Sequence, residues 1–149
     1  MTRVYKTTSI RAPIERVFDY VTTSGNWPAW HPSSLGVSGA TDHSLEPGER
    51  TTEKFRVAGR RGLVVWTVQE RVAPHWWMID GRVKGGGGGR ITYTLTPHEG
   101  GTTFEREFVY TMSNPLMALL DRLVLRRRVG AESMEALRRL KDVLERRAA

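Results

Sequence analysis

The sequence predicts an α+β fold, a curved antiparallel sheet of about seven strands wrapped on a long C-terminal α-helix, with two short helices after the first strand. Three observations predict it. Between Gly36 and Met112, β-rich segments alternate with Gly and Pro turn signals. From Asn114-Pro115 onward, apolar residues recur at helical spacing as far as Leu144. Between the opening strand and the β-region, helical periodicity holds only briefly, around Ile14 to Val21.

A chain of 149 residues has the length of one ordinary domain and can bury a substantial core without metals or disulfides. Residues 1–149 are therefore read as a single domain. Hydrophobic residues at 39% and charged residues at 26% exclude the composition of a disordered chain. The absence of cysteine excludes a disulfide framework, thiolate catalysis and a Cys-based zinc site. The opening MTRVYKTTSIRAP lacks the apolar run of a secretory signal. No segment reaches the roughly 18 consecutive apolar residues of a membrane span, so a cytoplasmic protein is expected.

The elements follow in order. Val4 to Ile10 reads as the opening strand, ended at Ala12-Pro13, and Ile14, Val17, Phe18 and Val21 form one face of a short helix. Thr22 to Ser34, with two prolines, a glycine and two tryptophans, predicts a turn and a brief helix. The following strands are bounded by Pro47-Gly48, by Gly59 to Gly62, by Ala73-Pro74, by the run Gly85 to Gly89, and by His98 to Gly101. Connections this short require antiparallel neighbours, because a parallel crossover needs about a dozen residues or more. A β-meander results. Asn114 as N-cap and Pro115 at the first position start the long helix, in which Leu116, Leu119, Leu120, Leu123, Val124, Met134, Leu137, Leu140 and Leu144 repeat with the helical period. At 1.5 Å per residue such a helix spans roughly 45 Å, and Gly130 within it predicts a bend or a close approach to the sheet.

This order of elements, with "TTSIRAPIERVFDYVTTSGNWPAWHP", "VQERVAPHWWMI", "GGTTFEREFVYTM" and "NPLMALLDRLVLRRRV", resembles the START-like or SRPBCC superfamily, that is, the polyketide cyclase/dehydrase and lipid transport family. The resemblance extends over nearly the whole chain. It implies a helix-grip fold with a cavity between sheet and C-terminal helix that takes an apolar or aromatic ligand. It implies no catalytic residue and no cofactor. The superfamily includes cyclases, lipid and quinone binders, hormone receptors and ribosome-associated toxins, so the fold does not fix the function.

Strand alternation selects the face that would line such a cavity. Phe55 and Val57, then Val64, Trp66, Val68 and Val72, then Trp77, Ile79 and Val83, then Ile91, Tyr93 and Leu95, and finally Phe104 and Phe108 share the inward phase. Trp30 joins them from the Trp27/Trp30/His31 cluster, and Leu116 and Leu120 oppose them from the helix. Taken one by one, such residues more often make a solid core, and the cavity reading rests on the fold. Glu53 and Arg106 fall on this inward face too, where unpaired charge is costly, so a Glu53–Arg106 pair is expected, either a structural bridge or a polar anchor for a ligand. His31, Glu53, Arg106 and Tyr110 are the candidate catalytic groups. No nucleophile with an adjacent base is discernible.

Other motifs carry less. His31, His43, His75 and His98 are scattered without metal-ligand spacing, so no metal site is expected. The glycine run lacks the Lys-Ser/Thr ending of a phosphate loop and precedes a strand, which makes it a hairpin loop at the cavity mouth. The net charge is +7, and from Pro115 onward nine Lys/Arg stand against five Asp/Glu. Arg126 to Arg128 form the strongest basic patch, for which a solvated face is the simplest reading.

Three functions are open on these grounds. Carriage or sensing of a hydrophobic small molecule of lipid, aromatic polyketide or quinone type ranks first. A cofactor-independent cyclase or dehydratase using the same cavity ranks second. An interaction module contacting nucleic acid, a ribosome or an anionic membrane through the basic helix ranks last.

Overall fold

β1 (Thr2–Ile10) runs antiparallel beside the last strand of the sheet, and this pairing closes the architecture. The computed structural model describes residues 1–57, 59–112 and 114–148. After β1 come α1 (Ile14–Thr22), a 3-10 turn (Ser24–Asn26) and α2 (Trp27–Trp30). Six strands follow, β2 (Ser34–Gly39), β3 (Arg50–Val57), β4 (Arg60–Val72), β5 (Trp76–Val83), β6 (Gly88–His98) and β7 (Gly101–Thr111). The strand order is β1-β7-β6-β5-β4-β3-β2, antiparallel throughout, as the short connections require. The chain ends in α3 (Pro115–Leu120), a π-helical turn (Asp121–Leu125) and α4 (Arg126–Ala148). This is the expected helix-grip fold.

Two local irregularities redirect side chains. The β4–β5 register shifts between Val68 and Glu70, a bulge in which one extra residue inverts the alternation. Val72 consequently faces solvent, against the inward phase expected for it, and Arg71 instead stacks on the Phe18 ring at 5.3 Å. The second irregularity lies in the long helix. A bend or a close approach to the sheet is expected at Gly130, yet α4 runs through Gly130 with open space beside it, and the break in regularity is the π turn. A π turn inserts one residue into the helical repeat, so the stripes before and after it do not continue each other. Leu125, Ala136, Leu137, Leu140 and Leu144 are buried, whereas Leu116, Leu119, Leu120, Leu123 and Val124 are exposed.

Asp121 explains the phase. Its carboxylate is buried and accepts hydrogen bonds from Thr2 Oγ1 and Tyr110 OH, so the inward position at this end of the helix is taken by an acid tied to β1 and β7. Such a group is stable inside only because both of its oxygens are satisfied.

The far end of α4 is held by Glu145. It accepts from the Arg11 backbone N–H at 2.9 Å and from Lys141 Nζ at 2.7 Å, and these donors hold its pKa down at about 2. A depressed carboxylate stabilises the fold above its unfolded value, about 4.3, and loses that contribution as pH falls toward the folded value. Glu145→Gln should therefore lower unfolding free energy at neutral pH by about 1 kcal/mol, given the partial exposure of the cluster. In urea titrations at stepped pH, the difference from wild type should shrink between about pH 4 and pH 2. A difference independent of pH would show that packing, not charge, sets the effect.

Candidate functional site

A cavity of about 330 Å³ lies between the concave face of the sheet and the α2 and α4 helices. Its apolar wall is built from alternating strand residues, chiefly Phe55, Val64, Trp66, Ile91 and Phe108, with Leu125 and Val129 from the helix side. Three aromatic rings of this wall lie on glycines of a neighbouring strand. A Cβ at Gly81 would come within 2.5 Å of the Trp66 ring, at Gly62 within 2.6 Å of Phe55, and at Gly89 within 2.7 Å of Phe108. Glycine opposite an aromatic is thus what lets these rings lie down along the sheet and leave space above them.

The polar wall converges on Arg106 of β7. Its side chain is 6% exposed, Nη1 donates to Ser133 Oγ at 3.4 Å, and Nε has no partner among the described residues. Its guanidinium carbon lies 5.6 Å from the centroid of Phe108. Glu53 also lines the cavity, but the expected ion pair with Arg106 is not formed. Glu53 Oε1 instead accepts from Trp66 Nε1 at 3.0 Å. Burial raises the Glu53 pKa above the ordinary carboxylate range, outweighing the opposing pull of Ser34, Trp66 and Arg106.

His31 leaves α2 toward the same space. Its Nδ1 accepts from the Ser33 backbone N–H at 3.2 Å, and since that group can only donate, the neutral ring carries its proton on Nε2. Burial, then the charges of Arg106 and Arg139, push the imidazole pKa well down, so the ring is neutral at physiological pH. Burial likewise raises the Tyr93 phenol to about 12, against the nearby Arg106. The cavity therefore presents one buried cation, a neutral imidazole N–H, a phenol and a carboxyl that resists ionisation. This set favours a bound oxygen, neutral or anionic, and offers no activated nucleophile.

The mouth is lined by Arg61, Lys84 and Met112 and by the backbone of Gly86 to Gly89. Gly85, Gly86 and Gly87 adopt φ of 96°, 120° and 86°, a conformation that other residues rarely accept. The glycine run thus borders the cavity.

The family model described as polyketide cyclase / dehydrase and lipid transport matches residues 1–145. The chain belongs to this family. Among solved structures, it is similar to protein CV1439 from Chromobacterium violaceum at 16% identity and a TM-score of 0.70, with 96% of each chain covered. It is also similar to DynU16, a protein of the dynemicin biosynthetic locus, at 19% identity and a TM-score of 0.68, covering 96% of this chain and 47% of that one. Ara h 8.0201 aligns at 11% identity and a TM-score of 0.66, over 96% of this chain and 97% of its own. At these identities the likeness shows the helix-grip fold. No curated protein matches at a significant level.

Within this polyketide cyclase/dehydrase and lipid-transport fold, the residues selected from sequence separate into three groups. Trp30, Phe55, Val57, Trp66, Tyr93 and Phe108 line the cavity, together with His31, Glu53, Arg106 and Tyr110. The Tyr110 hydroxyl, however, is committed to Asp121. Val68, Trp77, Ile79 and Phe104 share the inward phase but do not reach the cavity. They are fully buried among Val17, Phe18 and Val21 of α1, which fill that part of the concave face. Trp77 also donates Nε1–H to the Leu45 carbonyl at 3.0 Å. Leu116 and Leu120 do not oppose the sheet at all, because the π turn leaves them in solvent. Their place is taken by Leu125, Val129, Glu132 and Ser133, a set at helical spacing that the leucine stripe concealed. Among the described residues no group of three His, Cys, Asp or Glu could hold a metal, and no helix is long and apolar enough to cross a membrane.

Proposed function

We propose that this protein binds an apolar small molecule of lipid, aromatic polyketide or quinone type, as carrier or sensor, with an oxygen of the ligand seated against Arg106. The carrying observation is the state of Arg106: a buried guanidinium on the cavity wall, with an unfilled donor and no carboxylate partner among the described residues. A ligand oxygen would supply the missing acceptor, while Phe55, Trp66 and Phe108 would cover the apolar body. A volume of about 330 Å³ is at the small end of ligand pockets, which favours a compact ligand.

The direct test compares native with denaturing mass spectra of gently purified protein, followed by titration with an aromatic acid, a fatty acid and a quinone. Trp30 and Trp66 in the wall should report occupancy by quenching of their fluorescence. A stoichiometric adduct or saturable quenching, reduced at least about tenfold by Phe108→Asp, is the expected result. Absence of both an adduct and saturable quenching with all three probes would remove the proposal.

One observation favours a second reading, a cofactor-independent cyclase or dehydratase. Glu53 and His31 line one cavity, where burial raises the Glu53 pKa toward neutrality and holds the His31 ring neutral, so a carboxyl that keeps its proton more readily and an uncharged imidazole face the same space. Conversion of a bound probe, lost in Glu53→Gln with binding retained, would distinguish this from carriage.

A further inference from the structure

We infer that the segment from Leu116 to Arg128 is a docking face for an anionic lipid bilayer, placed beside the cavity mouth. The ordinary arrangement of a helix on a core buries apolar residues and exposes polar ones. This segment does the reverse. Asp121 points inward, fixed by Thr2 and Tyr110, while Leu116, Leu119, Leu120, Leu123 and Val124 face solvent, Leu116 at 75% and Leu123 at 67% exposure. Because the Asp121 bonds hold the turn in this rotation, the leucines cannot turn inward without breaking both bonds and leaving the buried Tyr110 hydroxyl without its acceptor. A contiguous exposed aliphatic face of this kind marks an interaction surface.

Charge selects the partner. Arg122, Arg126, Arg127 and Arg128 are exposed in and just after the leucines, and among the described residues none of them forms an ion pair. Nucleic acid would use the arginines but not the leucines, and Phe, Tyr or Trp for base stacking are missing from the segment. A second copy would cover the leucines, but the same segment of that copy offers no exposed carboxylate to meet the arginines, since its one acid, Asp121, is buried. A bilayer with anionic headgroups takes both: aliphatic side chains enter the interface and guanidinium groups meet the headgroup charge. The position supports the same partner. Rim residue Met112 precedes the segment, and Leu125 and Val129, which line the cavity, lie within it and directly beyond it. The rim also carries exposed Arg61 and Lys84, so docking would bring the mouth toward the lipid surface.

The test uses the full chain in sedimentation with phosphatidylcholine vesicles, with and without phosphatidylglycerol. Binding to the phosphatidylglycerol vesicles at low salt, release at high salt and little binding to phosphatidylcholine alone are expected. The double variant Leu119→Ser/Leu123→Ser should bind about tenfold more weakly or worse, with unchanged circular dichroism because both side chains are already exposed. Arg126→Gln/Arg127→Gln/Arg128→Gln should lose binding comparably. Failure to bind phosphatidylglycerol vesicles, or binding that survives the serine substitutions, would overturn the proposal. Self-association in light scattering that the serine substitutions abolish, without vesicle binding, would assign the face to a second copy instead.

Discussion

Replacing Arg106 with Met should leave the melting temperature unchanged or raise it, while weakening ligand binding by one to two orders of magnitude. Both halves have the same cause. A buried cation without a carboxylate partner forfeits hydration that Ser133 and the Phe108 ring return only in part. Apolar replacements of buried charged groups are often neutral or stabilising by about 1–4 kcal/mol, and Met matches the length of the Arg stem. The ligand, by contrast, loses a charge-assisted hydrogen bond in a water-poor site, worth about 1.5–3 kcal/mol, or roughly tenfold to 150-fold in affinity. Arg106→Lys should fall between, since it keeps the charge but not the planar fork. Thermal melts and fluorescence titration decide the matter. A variant that melts about 5 °C lower would show that Arg106 is a structural group, and unchanged affinity would show that ligand oxygens do not reach it.

What the sequence makes legible follows from how rigid each repeat is. Strand alternation is fixed by covalent geometry, so Phe55, Trp66, Tyr93 and Phe108, together with Glu53 and Arg106, can be assigned to one face from residue order alone. Alternation says nothing about position along that face. Trp77 and Phe104 have the right phase, yet they lie under α1 and make solid core, because the short helix fills that part of the concavity. The bulge near Gln69 is equally silent, since neither glycine nor proline marks it, and it alone reverses Val72. The Glu53–Arg106 pair is the instructive miss. Shared phase places both at the cavity, but whether two inward groups touch depends on side-chain reach across several strands, and here Trp66 takes Glu53 while Ser133 meets Arg106.

The phase of the C-terminal helix offers the sharpest test of where the core lies. In the sequence, Leu123 and Leu140 belong to one apolar stripe and should cost the same when truncated. In the structure Leu123 lies within the π turn and Leu140 beyond it, and Leu140 is 0% exposed whereas Leu123 faces solvent. Leu140→Ala should therefore lower unfolding free energy by about 3 kcal/mol, through lost burial and the void left beside Leu137 and Leu144. Leu123→Ala should stay within about 0.5 kcal/mol of wild type. Leu125→Ala discriminates further, because that side chain is buried and borders the cavity, so it should perturb both stability and ligand affinity. Urea denaturation of the three variants measures all of this on one scale. Equal costs for Leu123 and Leu140 would mean that the helix runs in a single phase. Leu116 to Leu123 would then turn their apolar side to the sheet, Asp121 would lose its two hydroxyl donors, and both the exposed aliphatic face and the present helix side of the cavity would disappear together.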